Sequence, residues 1–339
     1  MATVVLPEPD PERLALASGL AAEAATPARV GVVRFGTAGW TDPTLIKSKA
    51  FYPPKTSSAA DRLRFYASHF PLVEVDATYY SLLPRATSER WLDDTPSSFR
   101  FDVKAFPSLT GHPIDVLRLP GDLREACIAL GHARRVYPDK LPAELQREIA
   151  ARFLDFLQPL REGGRLGAVF LQFPPWFTAT RKNARALEVL RELYPDLPFA
   201  IEFRHASWRE PERRERVRSM LRAMRASYVC IDAPGTTSVI EVTDPRLAVL
   251  RFHGRNAEQF GRRGASVVER FNYLYVPEEL RSWVEPLRRV ADEAEEVHAV
   301  FNNCVRNYAV LNAKDLAVLL EQSQKRAELP KNATDDQSP

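Results

Sequence analysis

Residues 72–78 read Leu72-Val73-Glu74-Val75-Asp76-Ala77-Thr78, in which apolar and polar side chains alternate. Because successive side chains of a β-strand point to opposite faces, the polar residues share one face of this segment and the apolar residues share the other. Similar short runs recur along the chain at 33–39, 99–104, 168–173, 199–204, 228–232, 249–254 and 298–303. Helical patterns lie between the runs, and alternating strands and helices indicate parallel βα units.

Eight such units predict an α/β fold, namely a closed TIM-type (β/α)8 barrel in a single domain. In a barrel surrounded by helices, the apolar face of each strand contacts the helices and the polar face points toward the axis. A polar interior is costly unless its groups are paired or used. The pattern therefore predicts a site at the carboxyl ends of the strands, where barrel enzymes place their catalytic groups.

The length of 339 residues leaves room for additions to a barrel, which usually needs about 250 residues. We predict a flexible N-terminal extension over 1–30, the barrel over 31–322 and a disordered tail over 323–339. The third βα connection is long, and we interpret 106–161 as a helical insertion that covers the barrel mouth. The alternative is a helical decoration on the outside of the barrel.

The composition excludes several classes of protein. Lys and Arg total 47 against 44 Asp and Glu, and a net charge of +3 gives little support for nucleic-acid binding. The three cysteines have no metal-binding spacing and suit a reducing cytosol. We expect a cytoplasmic protein, since we find neither a membrane-spanning run nor a signal peptide. Gly-rich nucleotide-binding signatures and a nucleophilic serine elbow are also missing from the sequence.

Several motifs resemble those of the YecE-like family, also called domain of unknown function 72. They include Gly36-Thr37-Ala38-Gly39-Trp40, Ile201-Glu202-Phe203-Arg204-His205, Phe252-His253-Gly254-Arg255 and Phe301-Asn302-Asn303. The resemblance is strongest to actinobacterial-type members with a long insertion after the third strand, and it implies a TIM-type barrel without an assigned activity. Phe260 departs from the family pattern, in which we expect Trp.

The predicted catalytic residues are acids and one imidazole near the strand ends. Glu202 and His253 are the predicted acid–base pair, and Asp76 and Asp232 are further catalytic carboxylates. We expect Lys104, Arg204, Arg251 and Arg255 to bind an anion, because guanidinium groups bind phosphate and carboxylate through two bonds. The other predicted substrate-binding residues are Trp40, Glu74, Tyr79, Gln172, Asn302 and Asn303. Alternatively, these charges form a structural salt-bridge network.

These residues predict a hydrolase or lyase that acts on a small phosphorylated or sugar-like molecule. Two alternatives remain open: a nucleic-acid-binding protein that uses the barrel mouth, and a metabolite-binding barrel without catalysis. The Arg-rich run at 204–225 favours the former, although its interleaved glutamates are typical of a solvated helix face. No cofactor is predicted. A divalent cation bound by carboxylates is an alternative that the neighbouring cations disfavour.

Overall fold

The computed structural model describes residues 6–236, 239–262 and 264–328. Within them, eight parallel strands form a closed barrel, because each strand pairs with the next and the last pairs with the first. The strands are β1 (Val33–Ala38), β2 (Leu72–Val75), β3 (Arg100–Lys104), β4 (Leu166–Phe173), β5 (Phe199–Phe203), β6 (Ser227–Asp232), β7 (Ala248–Phe252) and β8 (Val297–Phe301). The predicted barrel is confirmed, and each strand lies where the alternating pattern placed it.

Helices surround the barrel and connect its strands. They are α1 (Pro11–Ala21), α2 (Pro43–Ser48), α3 (Ala59–His69), α4 (Ala77–Tyr80), α5 (Arg85–Asp93), α6 (Pro107–Thr110), α7 (Gly121–Ala129), α8 (Ala143–Glu162), α9 (Arg181–Leu193), α10 (Pro211–Ala223), α11 (Ala257–Phe260), α12 (Val267–Phe271), α13 (Pro277–Arg281), α14 (Val284–Glu293) and α15 (Tyr308–Glu328). None of these helices is both long and apolar enough to span a membrane.

The barrel interior has layers. Outward-facing strand residues such as Val73 and Phe101 join the main core beneath the helices. Inside, an apolar layer is formed by Leu72, Ala168, Phe170, Ala200, Val229, Ile231, Leu247, Val249 and Val300. Polar side chains lie toward both ends: Glu74, Glu202 and Arg251 toward the carboxyl ends of the strands, and Asp102 and His298 toward the amino ends. The interior is thus less uniformly polar than the strand pattern suggested.

The connection after β3 contains less insertion than predicted. Helix α8 packs against α5 and buries Phe153 and Phe156, so it is the barrel helix between β3 and β4. The inserted part is therefore about 106–142, where α6 and α7 accompany two short antiparallel strands, Ile114–Asp115 and Arg135–Val136. Sequence alone did not separate this barrel helix from the helices of the insertion.

The two ends of the chain pack on each other. Within the stretch expected to be a flexible extension, α1 lies against α15 and buries Ala17 and Ala21. The Arg13 guanidinium also donates a hydrogen bond of 2.6 Å to the carbonyl oxygen of Leu274. Helix α15 continues to Glu328, into the stretch expected to be a disordered tail. The rest of that tail, and residues 1–5, lie outside the described residues.

Candidate functional site

A cavity of about 970 Å³ opens at the carboxyl ends of the strands. Its floor is formed by polar residues at or just beyond the strand ends: Asp76, Lys104, Gln172, Arg204 and Asn302. Its walls are formed by the βα connections and include aromatic and basic side chains: Trp40, Tyr79, Tyr80, Arg90, Trp91, His112, Arg270 and Phe271. The cavity lies where barrel proteins place their sites, and it has the size of a small-molecule pocket.

Beneath the floor, Arg251 is bonded at each end of its guanidinium group. It donates to Glu74 through Nε and Nη2, at 2.9 and 2.6 Å, and to Glu202 through Nη1. The three side chains are at most 4% exposed. Burial raises the pKa of Glu74, and Arg251 opposes this effect. Because its donors are engaged by carboxylates, Arg251 does not reach a ligand in the cavity, and the predicted anion-binding role does not suit it.

Glu202 and His253 also lie below the floor rather than along the cavity. Gln172 donates a hydrogen bond of 2.7 Å to Glu202 Oε1, and His253 Nε2 lies 3.5 Å from the same oxygen. His253 Nδ1 lies 3.0 Å from the amide nitrogen of Asn302, which assigns the ring proton to Nε2. Nε2 is buried without a hydrogen-bond partner.

Burial lowers the pKa of His253 to about 4, so the imidazole is neutral at pH 7. Burial acts to raise the pKa of Glu202, but Arg251, His253 and Arg204 together outweigh this effect and hold that pKa well below its usual range. Neither side chain lines the cavity, so the predicted acid–base pair does not contact a ligand there directly. Their positions instead suit side chains that hold Gln172 and Asn302 in place at the floor.

The floor carries a second charged pair that the cavity reaches directly. Lys104 Nζ donates to Asp76 Oδ1 at 3.0 Å and lies 5.0 Å from the centroid of the Tyr79 ring. The Asp76 and Lys104 side chains are 32% and 14% exposed. Burial opposes the ionisation of both groups. Their mutual attraction, helped by Arg251 for Asp76 and by Glu74 for Lys104, outweighs burial, so the pKa of Asp76 is lowered and that of Lys104 is raised. Both are therefore charged at neutral pH.

Arg204 is the third cation of this group. Its Nε lies 3.3 Å from Glu202 Oε1, and one third of its side chain is exposed. The acidic side chains Glu74, Asp76 and Glu202 thus each contact one of the cations Arg251, Lys104 and Arg204, as a confined site of low polarity requires. The lower part of this network fits the structural interpretation, whereas Asp76, Lys104 and Arg204 remain open to a ligand.

Three predicted residues lie away from the cavity. Val229 and Ile231 belong to the interior layer, so Asp232 is on the outward face of β6. There it pairs with Arg255 at 2.9 Å and accepts a hydrogen bond of 3.2 Å from the indole of Trp283. Asn303 is buried and donates to the carbonyl oxygen of Tyr273 at 2.8 Å and to Asn312 at 2.9 Å. The structure therefore does not bring Asp232, Arg255 and Asn303 to the cavity with the other predicted residues.

Sequence reasoning missed several cavity residues that lie on connections. His112 follows α6, lies 5.4 Å from the Tyr79 ring and 5.8 Å from the Trp176 ring, and lines the cavity from the connection after β3. Burial lowers its pKa to about 4. Arg270 and Phe271 enter from α12. Loops have no periodicity that shows which side chains return to a site, and the turn signal Gly111-His112-Pro113 marks only a bend.

The carboxylates of the floor are engaged by cations. Across the described ranges, no three His, Cys, Asp or Glu side chains come together in an arrangement that suits a metal ion. Asp76 binds Lys104, and Glu74 binds Arg251.

The fold and this site define a class of protein: closed parallel (β/α)8 barrels with a charged, aromatic-walled cavity at the carboxyl end. Within that class the chain belongs to the DUF72 family, because the model of the family described as "Protein of unknown function DUF72" matches residues 34–337. The resemblance inferred from the strand-end motifs is confirmed at the level of this family.

Relatives from three bacteria support the assignment. The UPF0759 protein YunF of Bacillus subtilis (strain 168) is 30% identical over 300 residues, which cover 86% of this chain and 95% of YunF. A DUF72 family protein of Enterococcus faecalis V583 has a crystal structure that matches with a TM-score of 0.69 and 28% identity, covering 85% of this chain and 95% of that one. A DUF72 family protein of Thermotoga maritima MSB8 gives 0.66 and 30%, covering 86% and 99%.

Proposed function

We propose that this protein is a hydrolase or lyase that acts at the barrel mouth on a small anionic molecule containing phosphate or sugar. The observation that supports this proposal is the Asp76–Lys104 pair, which lies on the floor of the 970 Å³ cavity and is partly exposed to it. The groups beneath the pair are bonded to one another, so the floor is held in place before a ligand arrives.

Asp76 is the proton acceptor in this proposal. Its ionised carboxylate takes a proton from water during hydrolysis, or from the substrate in a lyase reaction. The Lys104 ammonium gives a proton to the leaving-group oxygen, on which negative charge develops as its bond to the substrate breaks. Asp76 then releases its proton to solvent and Lys104 takes one up, so both groups return to their charged forms. Arg204 contacts the anionic part of the substrate through the exposed end of its guanidinium group. Glu202 and His253 act indirectly, through Gln172 and Asn302.

The test is the Asp76→Asn variant, which keeps the shape of the side chain and removes its charge. Turnover is measured against phosphate monoesters, phosphodiesters and glycosides, first with the unmodified protein and then with the variant. We expect Asp76→Asn to lower turnover by about 100-fold or more, the usual contribution of a proton acceptor. Glu89→Gln, an exposed change on α5, is the matched control and should keep full activity. An Asp76→Asn variant that retains full activity would contradict the proposal.

A second candidate is a metabolite-binding barrel without catalysis. It is favoured by the burial of Glu202 and His253, the groups best suited by type to acid–base chemistry, beneath the cavity. This candidate predicts that the wild type, Asp76→Asn and Glu89→Gln all fail to turn over any substrate, and that the wild type binds an anionic metabolite tightly. The two functions are therefore separated by the same experiment, provided that binding is measured alongside turnover.

The nucleic-acid alternative receives no such support from its main feature, the Arg-rich run. Arg213 pairs with Glu210 at 2.6 Å, and Arg218 pairs with Glu215 and, at 3.6 Å, with Glu241. These pairs are typical of a solvated helix face whose charges compensate one another.

A further inference from the structure

Four basic side chains line the cavity, and two of them have carboxylate partners. Lys104 pairs with Asp76 and Arg204 pairs with Glu202, at 3.0 and 3.3 Å. Arg90 and Arg270 form no ion pair with any residue that the structure describes. Two uncompensated guanidinium groups facing one cavity favour a ligand that carries negative charge.

Helix α12, which carries Arg270, is held in place by hydrogen bonds that do not involve the Arg270 guanidinium group. Ser266 and Glu269 cap each other at the start of α12, so the carboxylate next to Arg270 is already engaged by the Ser266 backbone at 2.7 Å. Asn256 donates to the carbonyl oxygen of Glu269 at 3.0 Å and ties the helix to the chain that leaves β7. Arg270 Nε is nevertheless buried without a hydrogen-bond partner, an arrangement that costs free energy until an acceptor arrives.

Arg90 enters the cavity from α5. Its guanidinium group makes one long hydrogen bond, of 3.4 Å, to the hydroxyl of Thr87. Asp94 also lines the cavity, but its carboxylate pairs with Arg64, which neutralises it. The indole rings of Trp40 and Trp91, whose centroids are 5.1 Å apart, form the wall beside Arg90.

The two arginines approach from different sides of the mouth. Helix α5 follows β2, whereas α12 follows β7, and β1 and β8 lie between those strands in the barrel. The cavity volume of 970 Å³ lies at the upper end of the range of about 300–1,000 Å³ that is usual for small-molecule sites. This separation in the barrel favours two anionic groups over a single phosphate as the partners of the two arginines.

We propose that Arg270 and Arg90 bind two separate anionic groups of one elongated substrate. The substrate therefore carries two anionic groups, such as two phosphates, and is about the size of a nucleotide. This inference rests on the proposed function, because it concerns the same cavity, and it adds the class of substrate. Lys104 and Asp76 then act on the part of the molecule that lies between or beside its two anionic groups.

The experiment compares matched probes by isothermal titration calorimetry. One pair is adenosine 5′-monophosphate and adenosine 3′,5′-bisphosphate, and the other is ribulose 5-phosphate and ribulose 1,5-bisphosphate. In at least one pair, the doubly phosphorylated probe should bind about tenfold tighter, the gain expected from one more charged hydrogen-bonded contact. Arg270→Gln and Arg90→Gln should each reduce that preference to about threefold or less. Arg262→Gln, an exposed change in the same connection as Arg270, is the matched control and should leave it unchanged.

Four results would overturn the inference: equal binding within both pairs, an undiminished preference in Arg270→Gln or Arg90→Gln, an equal loss of preference in the Arg262→Gln control, or no binding of any of the four probes. The Asp76→Asn variant separates this inference from the proposed function. It should lose turnover and keep the preference for two phosphates. If Asp76→Asn loses turnover but neither the wild type nor any variant prefers two phosphates, the proposed function stands and only the inference about the substrate is refuted.

Discussion

Replacing His298 with Gln is expected to remove a specific pH dependence from the stability of the protein. His298 is fully buried near the start of β8, with Nδ1 2.9 Å from Asp102 Oδ2 and Nε2 3.0 Å from Glu296 Oε1. Burial opposes the charged form of the ring, but Asp102 and Glu296 outweigh burial and raise the pKa of His298 from 6.5 to about 9. The folded protein therefore holds a proton that the unfolded chain releases near pH 6.5.

The sign and size follow from proton linkage. Because the folded-state pKa is the higher one, the stabilisation is fully present below pH 6.5 and is lost as the pH rises through about 9. The difference between the two values, at about 1.4 kcal/mol per pH unit, corresponds to about 3 kcal/mol. About 2 kcal/mol of this should disappear between pH 6.5 and about pH 8.5.

The assay is urea unfolding of the wild-type protein and of His298→Gln at several pH values in this range. The free energy of unfolding of the wild type should fall toward that of the variant by about 2 kcal/mol over the range. Asp315, whose pKa burial raises to about 8, titrates in both proteins and cancels in the difference. Asp102→Asn removes the anion that contributes most to the raised pKa of His298, so the free energy of unfolding of this variant should change less with pH over the same range. A difference between wild type and His298→Gln that stays constant with pH would refute this reasoning.

Three further changes are expected to alter the free energy of unfolding, each measurable by urea titration at neutral pH. Arg251→Leu should destabilise the protein by about 3–5 kcal/mol, because Glu74 and Glu202 stay buried without their partner; a loss below about 1 kcal/mol would contradict this. Gly36→Ala should cost about 1–3 kcal/mol, since a methyl group would overlap the carbonyl oxygen of Leu72. Gly19→Ala, in α1 with open space around it, should instead add about 0.5–1 kcal/mol.

The barrel could be predicted because its strands carry the information locally. Alternation in segments such as 72–78 fixes both the strand and the faces of its side chains, and it placed Glu74 and Arg251 in the interior correctly. The same rule was misapplied in β6. Asp232 ends a strand whose other clearly polar residue, Ser227, lies at its start and on the opposite face, so the charge of Asp232 alone suggested the wrong side. Val229 and Ile231 occupy the interior instead.

The cavity walls could not be predicted in the same way. Trp40 and Tyr79 follow strands directly, and the structure places both at the mouth. His112 and Arg270 lie well beyond the ends of the strands that precede them in the sequence, so their positions depend on how each connection folds back toward the barrel. In the case of Arg270, that path is fixed by the mutual capping of Ser266 and Glu269 and by Asn256. These are tertiary and side-chain contacts rather than a pattern of hydropathy.

The apolar layer inside the barrel gives the two polar networks separate roles. Leu72, Phe170 and Val300 lie between the Glu74–Arg251–Glu202 network and the Asp102–His298 pair. Changes at mutually independent sites usually add in free energy. The pH dependence of the free energy of unfolding that we assign to His298 should therefore persist unchanged in Asp76→Asn and Arg270→Gln. Measuring it shows whether a variant of a cavity residue keeps the native barrel. If a variant of a cavity residue loses activity or binding but keeps the pH dependence of stability, the loss comes from a change in the chemistry of the cavity and not from a change in the fold.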